Sequence, residues 1–131
     1  MDFQAGVRAR LLANYDVRQI ADKRVTWLER PQLSGLPAVT LQVVADPRPQ
    51  NMKGFEGARS TDVQADCWAA TYKEALQLAR AVISCLAGPA EIEGKKFGNA
   101  QVTGQRDLGE TVADGFVHRQ SVDLTIRHVG D

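Results

Sequence analysis

The sequence has few of the residues on which catalytic and metal sites depend. Its 131 residues include two cysteines and two histidines. Cys67 and Cys85 lie far apart and lack a CxxC spacing, so they predict neither a zinc site nor a disulfide framework. His118 and His128 fall ten positions apart in one predicted strand, over ~30 Å at about 3.3 Å per residue, too far to share a metal ion. We expect two small buried cysteines in a reducing compartment and two ordinary surface histidines.

The sequence also has no net charge and no long apolar runs. Lys plus Arg and Asp plus Glu both number 16, so the formal net charge is zero. A protein that binds the phosphate backbone of nucleic acid needs surplus positive charge. A chain with balanced charge instead allows its copies to approach each other. No apolar run reaches the ~20 residues that span a bilayer, and the N-terminus lacks a signal-peptide pattern. We therefore expect no membrane partner, no sequence-specific nucleic acid and synthesis in a bacterial-type cytoplasm.

The short motifs of catalytic sites are also absent. Neither G-x-S-x-G nor H-E-x-x-H occurs. Gly94–Gly98 lacks the spacing of a phosphate-binding loop, so Lys95 and Lys96 are expected in a solvated turn. Asp62 and Asp66 share one face of a predicted strand, but at ~13 Å they cannot share an ion without a third element. We expect no catalytic residues, no metal and no cofactor.

Three segments of the chain have helical spacing. Residues 3–14 follow Asp2, a candidate cap, and residues 16–21 form a shorter helix. The third helix covers residues 71–86, where Thr71 and Glu74 form a capping box and a Gly-Pro pair ends the helix. Its apolar stripe is predicted to contain Tyr72, Ala75, Leu76, Ala79, Val82, Ile83 and Leu86.

Alternation of apolar and polar residues predicts the strands. Residues 38–45 and 58–69 form a long antiparallel hairpin, residues 90–100 are a connection, and the last two strands are joined by more than a two-residue turn. Turns rather than helices join neighbouring strands, so we expect an α+β fold: an antiparallel sheet with a long β-hairpin and helices packed on one face. At 44% hydrophobic residues, the chain suits one domain over residues 1–131. The predicted strands are residues 24–28, 38–45, 58–69, 100–108 and 116–129.

Residues 46–57 form the most unusual stretch of the chain. They contain two prolines, two glycines and several charges, and the loop is longer than most connections in compact domains. The stretch is therefore either a hairpin tip or an arm that reaches a neighbouring subunit.

Two segments resemble a known family. Pro37–Val44 (PAVTLQVV) and, after the Pro/Gly-rich loop, Val63–Ala79 (VQADCWAATYKEALQLA) resemble the small tail completion proteins of long-tailed bacteriophages. These are also called tail terminator or tail-to-head joining proteins, and prophages and gene-transfer particles carry them too. Leu11–Ala13 matches the "LLA" of the family's opening helix, and Asp66–Ala75 is the most distinctive part.

The resemblance implies a structural role and no catalytic residues. Such proteins form a ring, typically sixfold, that caps the finished tail tube, ends its polymerisation and presents a surface to the head connector. The implied partners are further copies of the chain, the tail tube protein and the head-tail connector or stopper protein. The implied location is the virion tail, after assembly in the host bacterial cytoplasm.

A closed ring needs two complementary patches on each subunit. The candidates are the 46–57 arm and the polar face of the 58–69 strand, and an exposed strand edge could also add to a neighbour's sheet. Two alternatives remain: a head-tail connector or neck adaptor, and a small ligand-binding or enzymatic α+β domain. Opposite charges would fix the register of the ring more than its affinity. The candidate interface residues are Arg48, Lys53, Phe55, Arg59, Asp62 and Asp66.

Overall fold

A computed structural model describes residues 1–29, 35–47, 57–113 and 115–131. Within these residues the chain forms two helices, three strands, a third helix and three further strands, and the strands belong to one sheet. The helices are α1 (Phe3–Ala13), α2 (Tyr15–Ala21) and α3 (Tyr72–Ala87), and the strands are β1 (Val25–Trp27), β2 (Ala38–Ala45), β3 (Ala58–Ala69), β4 (Ala90–Ile92), β5 (Lys95–Val112) and β6 (Gly115–Val129).

Side-chain caps fix where the helices begin. Asp2 Oδ1 accepts from the backbone N–H of Ala5 at 2.8 Å, and Asn14 caps α2 in the same way. At α3, Thr71 Oγ1 accepts from the N–H of Glu74 at 3.2 Å. Each cap satisfies an N–H group that has no partner inside its helix. The predicted caps at Asp2 and Thr71 are therefore confirmed.

The buried arc of α3 is rotated from the predicted stripe. Tyr72 is exposed and Leu76 is half-buried, whereas Leu78 and Ala81 are buried. The reason is that α3 contacts β3 and β6 on one side and α1 and α2 on another, so it buries a wider arc than one sheet requires.

The sheet has the strand order β1-β2-β3-β6-β5-β4. β2 and β3 form the predicted antiparallel hairpin. β6 pairs antiparallel with β3 along the whole length of β3, from Ala58↔Val129 to Ala69↔His118. β1 is the exception among the described strands, because it pairs parallel with β2 at Val25↔Val39. The predicted α+β class, with its long hairpin, is confirmed.

Two connections differ from the prediction. Residues 90–100 do not form a simple connection: β4 pairs with the start of β5, and Glu93 and Gly94, both at positive φ, form the two-residue turn between them. β5 then runs to Val112, which pairs directly with Gly115 of β6. The connection between the last two strands is therefore shorter than expected.

The core lies between the helices and one face of the sheet. Cys67 is fully buried there, and burial raises the pKa of its thiol well above the ordinary value. Cys85 is half-buried, and its Sγ donates to the carbonyl of Arg10 at 3.4 Å. No helix in the described parts of the chain is both long and apolar enough to cross a membrane. The larger core side chains are Phe3, Val7, Leu11, Val17, Val25, Val39, Leu41, Val63, Leu78, Val82, Leu86, Phe97, Val122, Leu124 and Ile126.

Candidate interaction surfaces

The sheet face opposite the helices, here called the outer face, is polar. Alternation along β3 turns Val63, Ala65 and Cys67 into the core and the residues between them outward. The register of β3 with β6 sets these outward residues against polar side chains of β6. The opposed pairs are Asp62↔Thr125, Gln64↔Asp123, Asp66↔Ser121 and Trp68↔Arg119.

At one end of the outer face, Arg119 packs against the indole ring of Trp68. Trp68 Nε1 donates to Thr40 Oγ1 at 2.9 Å, and the Arg119 guanidinium carbon lies 4.9 Å from the centroid of the indole ring. Arg119 Nη1 is also 3.8 Å from Asp66 Oδ2. Thr40 and Asp66 are buried. These contacts order the charges of this end before any partner binds.

The middle of the outer face continues the pairing of polar groups. Thr125 Oγ1 donates to Asp62 Oδ1 at 2.6 Å. Arg106 of β5 donates to Ser121 Oγ at 3.1 Å and lies 3.9 Å from Asp123 Oδ2, with 55% of its side chain exposed. Acidic and basic groups thus lie side by side on the outer face, an arrangement suited to selecting a partner by charge.

Arg59 does not lie on the outer face. Its side chain is 7% exposed, donates to Asp131 Oδ1 at 2.9 Å and forms a short ion pair with Asp46. The structure thus places Asp62 and Asp66 on the outer face and Arg59 in a buried network with the C-terminal residues. An interface role for these three stays a prediction. The candidates Arg48, Lys53 and Phe55 lie outside the described residues.

The same network contains a buried lysine and histidine. Lys95 Nζ lies 2.9 Å from His128 Nδ1 and 2.7 Å from the carbonyl of Val129. Thr61 Oγ1 lies 2.8 Å from His128 Nε2 and donates to Asp46 Oδ1 at 3.0 Å. An ammonium can only donate, so Nδ1 accepts and the histidine proton sits on Nε2, facing Thr61. The expectations of a surface histidine at His128 and a solvated turn at Lys95 are wrong.

Burial determines the charge of His128. Its pKa is lowered to about 4, first by burial and then by the charges of Lys95 and Arg59. The pKa of Lys95 is also lowered, first by burial and then by Arg59. His128 is therefore neutral at neutral pH, and its ring, 4.3 Å from that of Phe3, packs as part of the core.

The described residues contain no cluster of three or more metal-binding side chains. Within residues 1–29, 35–47, 57–113 and 115–131, no three His, Cys, Asp or Glu side chains are placed to bind one ion. The polar groups of the outer face bond to one another and hold each other in place.

The sheet also leaves two strand edges open. β4 covers β5 only at Lys95–Phe97, and no other described strand pairs with the outer edge of β5 beyond Gly98. At the opposite side, β1 covers β2 only at Val39–Leu41, and no described strand pairs with Gln42–Ala45 on that side. The sequence could not reveal these edges, because they depend on which strands become neighbours.

Comparison with known protein families gives a match for this chain. The family described as "Tail completion protein gp17" matches residues 5–128. The chain belongs to this family. The expectation drawn from Pro37–Val44 and Val63–Ala79 is thereby confirmed. As a member, this tail completion protein is a structural protein of phage-type tails that associates with other tail or head proteins.

A solved structure shares the fold of this tail completion protein. The structure is described as "Virion of native gene transfer agent (GTA) particle", and one of its chains matches with a TM-score of 0.68 and 18% sequence identity. The match covers 98% of this chain and 95% of that one. At this identity the likeness establishes the fold alone. No curated protein sequence matches at a significant level.

The sequence did not single out Arg106, Arg119 or Asp123 as parts of the outer face. Their positions follow from the pairing of β6 with β3 and β5, which joins residues far apart in the chain. The alternation of β6 does place Arg119 and Asp123 on a common face, and this was the one signal available for these two residues.

Proposed function

We propose that this tail completion protein forms a closed ring, of six copies, on the end of the tail tube. The ring ends polymerisation of the tube protein and joins the tube to the head connector or stopper protein. The observation that carries the proposal is the family match over residues 5–128. The role is structural rather than enzymatic, and the chain acts as one domain over residues 1–131.

The outer face supports the proposal through its fixed charges. Asp62, Asp66 and Arg106 are held by neighbouring strands, so no side-chain ordering is needed when a partner with complementary charge docks. Arg59 lies on β3, the strand that bears Asp62 and Asp66. It pairs with Asp46, which precedes the proposed arm residues Arg48, Lys53 and Phe55. The interface of the proposed ring thus combines the outer face and the arm.

The location follows from the same role. The protein is made in the host bacterial cytoplasm and ends in the tail of a phage or gene-transfer particle. The fold shared with a chain of a gene transfer agent virion supports this location.

Removal of the protein tests the proposal. In a strain that produces the particles, we expect deletion of the gene to give tails of irregular length that carry no head, and restoration of the gene to correct both defects. Electron microscopy measures tail length and head attachment. Normal tails joined to heads would contradict the proposal. Tails of normal length without heads would instead favour a neck adaptor.

A further inference from the structure

The two open edges lie towards opposite sides of the sheet. The strand order β1-β2-β3-β6-β5-β4 places the open part of β2 on one side and that of β5 on the other. A strand edge presents a row of backbone N–H and C=O groups that can pair with another strand. One subunit therefore offers two docking edges.

The edge of β5 is long and regular. From Gly104 to Val112 the strand pairs with β6 without a bulge, over nine residues, or about 30 Å at 3.3 Å per residue. Proteins protect such edges with prolines, bulges or charges directed outward. Here the stretch has no proline, and two of its three charged residues, Arg106 and Asp107, are bonded over the sheet faces, to Ser121 and Gln120. The third charged residue, Glu110, is exposed.

Several exposed apolar side chains lie beside the two edges. Val44 is 60% exposed, and it is the bulged residue of β2 that the register with β3 skips. Leu28, which directly follows β1, is 75% exposed. On the other side of the sheet, Val102, Leu108, Val112 and Phe116 of the β5–β6 hairpin are also exposed. Side chains of this kind mark surfaces that another protein covers.

We propose that β5 of one copy pairs along its open edge with Gln42–Ala45 of β2 in the next copy. The inference rests on the proposed ring, since it supplies the contact that builds it. Two unlike edges make a head-to-tail contact, which propagates from copy to copy and closes when the rotation between subunits permits. Pairing of β5 with β5 would be symmetric and would stop at a dimer.

A second copy is the occupant that these observations favour. The formal net charge of zero lets copies approach without repulsion. The apolar side chains at the β2 edge match in kind those at the β5 edge, so one contact covers both. The sheets of successive subunits then join into one continuous sheet around the ring.

Cross-linking within intact particles tests the contact. The variant carries Val44→Cys together with Leu108→Cys, and particles are treated with a short bismaleimide. We expect a ladder of dimers and higher oligomers up to the whole ring on a denaturing gel. A second pair, Val44→Cys with Val112→Cys, samples another register along the same edge. All three side chains are exposed, so the changes leave the fold intact, which thermal melting verifies.

The single variants are the controls and also carry Cys85, so they show any cross-linking that does not need the new pair. We expect no ladder from Val44→Cys, Leu108→Cys or Val112→Cys alone. If the protein is in the particles and neither pair gives a ladder, the edge contact is wrong and the ring still stands. Dimers from Leu108→Cys alone, or cross-links from it to a different protein, would also overturn the contact. Particles that never contain the protein would defeat the ring and the contact together.

Discussion

Lys95 and His128, which the sequence places in a turn and on the surface, meet in the interior with Nζ and Nδ1 2.9 Å apart. Each is less than 5% exposed. Their hydrogen bonds run in one direction, from Lys95 through His128 and Thr61 to Asp46. These consecutive hydrogen bonds join the starts of β3 and β5 to the end of β6 and to Asp46, the residue that follows β2.

Stability should fall as the pH falls from about 6.5 towards 4. The folded-state pKa of His128, about 4, lies below its ordinary value of 6.5, so between these values the unfolded chain binds more protons. The contribution of His128 is complete above pH 6.5, and its loss at low pH amounts to about 3 kcal/mol at most. Urea denaturation at several pH values measures it. His128→Gln should flatten the dependence of the free energy of unfolding on pH relative to the parent protein, and His118→Gln should keep this dependence. An unchanged slope in His128→Gln would contradict the assignment.

Replacing Lys95 with methionine should destabilise the fold. The substitution leaves His128 Nδ1 and the Val129 carbonyl without their donor, which costs about 1–3 kcal/mol for a buried acceptor. Lys96→Met is the matched control, because this neighbouring side chain is exposed and should change stability by less than about 0.5 kcal/mol. Thermal or urea unfolding compares the two variants. Equal stabilities would show that the lysine bond contributes nothing.

Leu78 and Leu76 test the orientation of α3. Leu78 is fully buried, so Leu78→Ala should cost about 2–5 kcal/mol, whereas Leu76→Ala should cost clearly less. Both changes have the same chemistry and the same helix propensity. The midpoint of urea unfolding measures the difference. A larger loss at position 76 would favour the stripe predicted from the sequence over the observed packing.

Charge reversal on the outer face should impair assembly more than folding. Asp62 is held by Thr125 and is only partly exposed, so Asp62→Lys should change the stability of the isolated chain by about 1 kcal/mol, the net value of one hydrogen bond. It should reduce the number of particles with joined heads and tails. Asp16→Lys on α2 makes the same change at an exposed position on the helix side of the sheet and should assemble normally. Full infectivity of Asp62→Lys would remove Asp62 from the interface.

Deleting residues 48–56 tests the proposed arm. With a short Gly-Ser link between Pro47 and Gly57, the chain should still fold, because loop length changes stability only slightly. Melting of the isolated protein verifies the fold. Particles should lose normal tail length or head attachment, as electron microscopy would show. Unchanged tails and full infectivity would exclude a role for Arg48, Lys53 and Phe55.

The sequence predicted the parts of the fold that depend on neighbouring residues. The bounds of β2 and β3 match residues 38–45 and 58–69, because alternation is complete there and loop residues flank each strand. The caps of α1 and α3 were recognised for the same reason, since Asp2 and Thr71 act within one helical turn.

Features that depend on distant contacts were missed. His128 is buried because Phe3 packs against its ring, and Lys95 because it reaches the end of β6. These contacts join positions more than thirty residues apart. The contact between Arg119 and Trp68 has the same origin, because only the register of β3 with β6 brings the two side chains together.

The complete burial of Cys67 makes this side chain a natural reporter of core opening. A thiol reacts as its thiolate, and here both the raised pKa and the surrounding side chains prevent the reaction while the subunit stays closed. The rate at which a thiol reagent modifies Cys67 therefore measures how often the core opens. Comparing free subunits with intact particles would show how far assembly slows this opening.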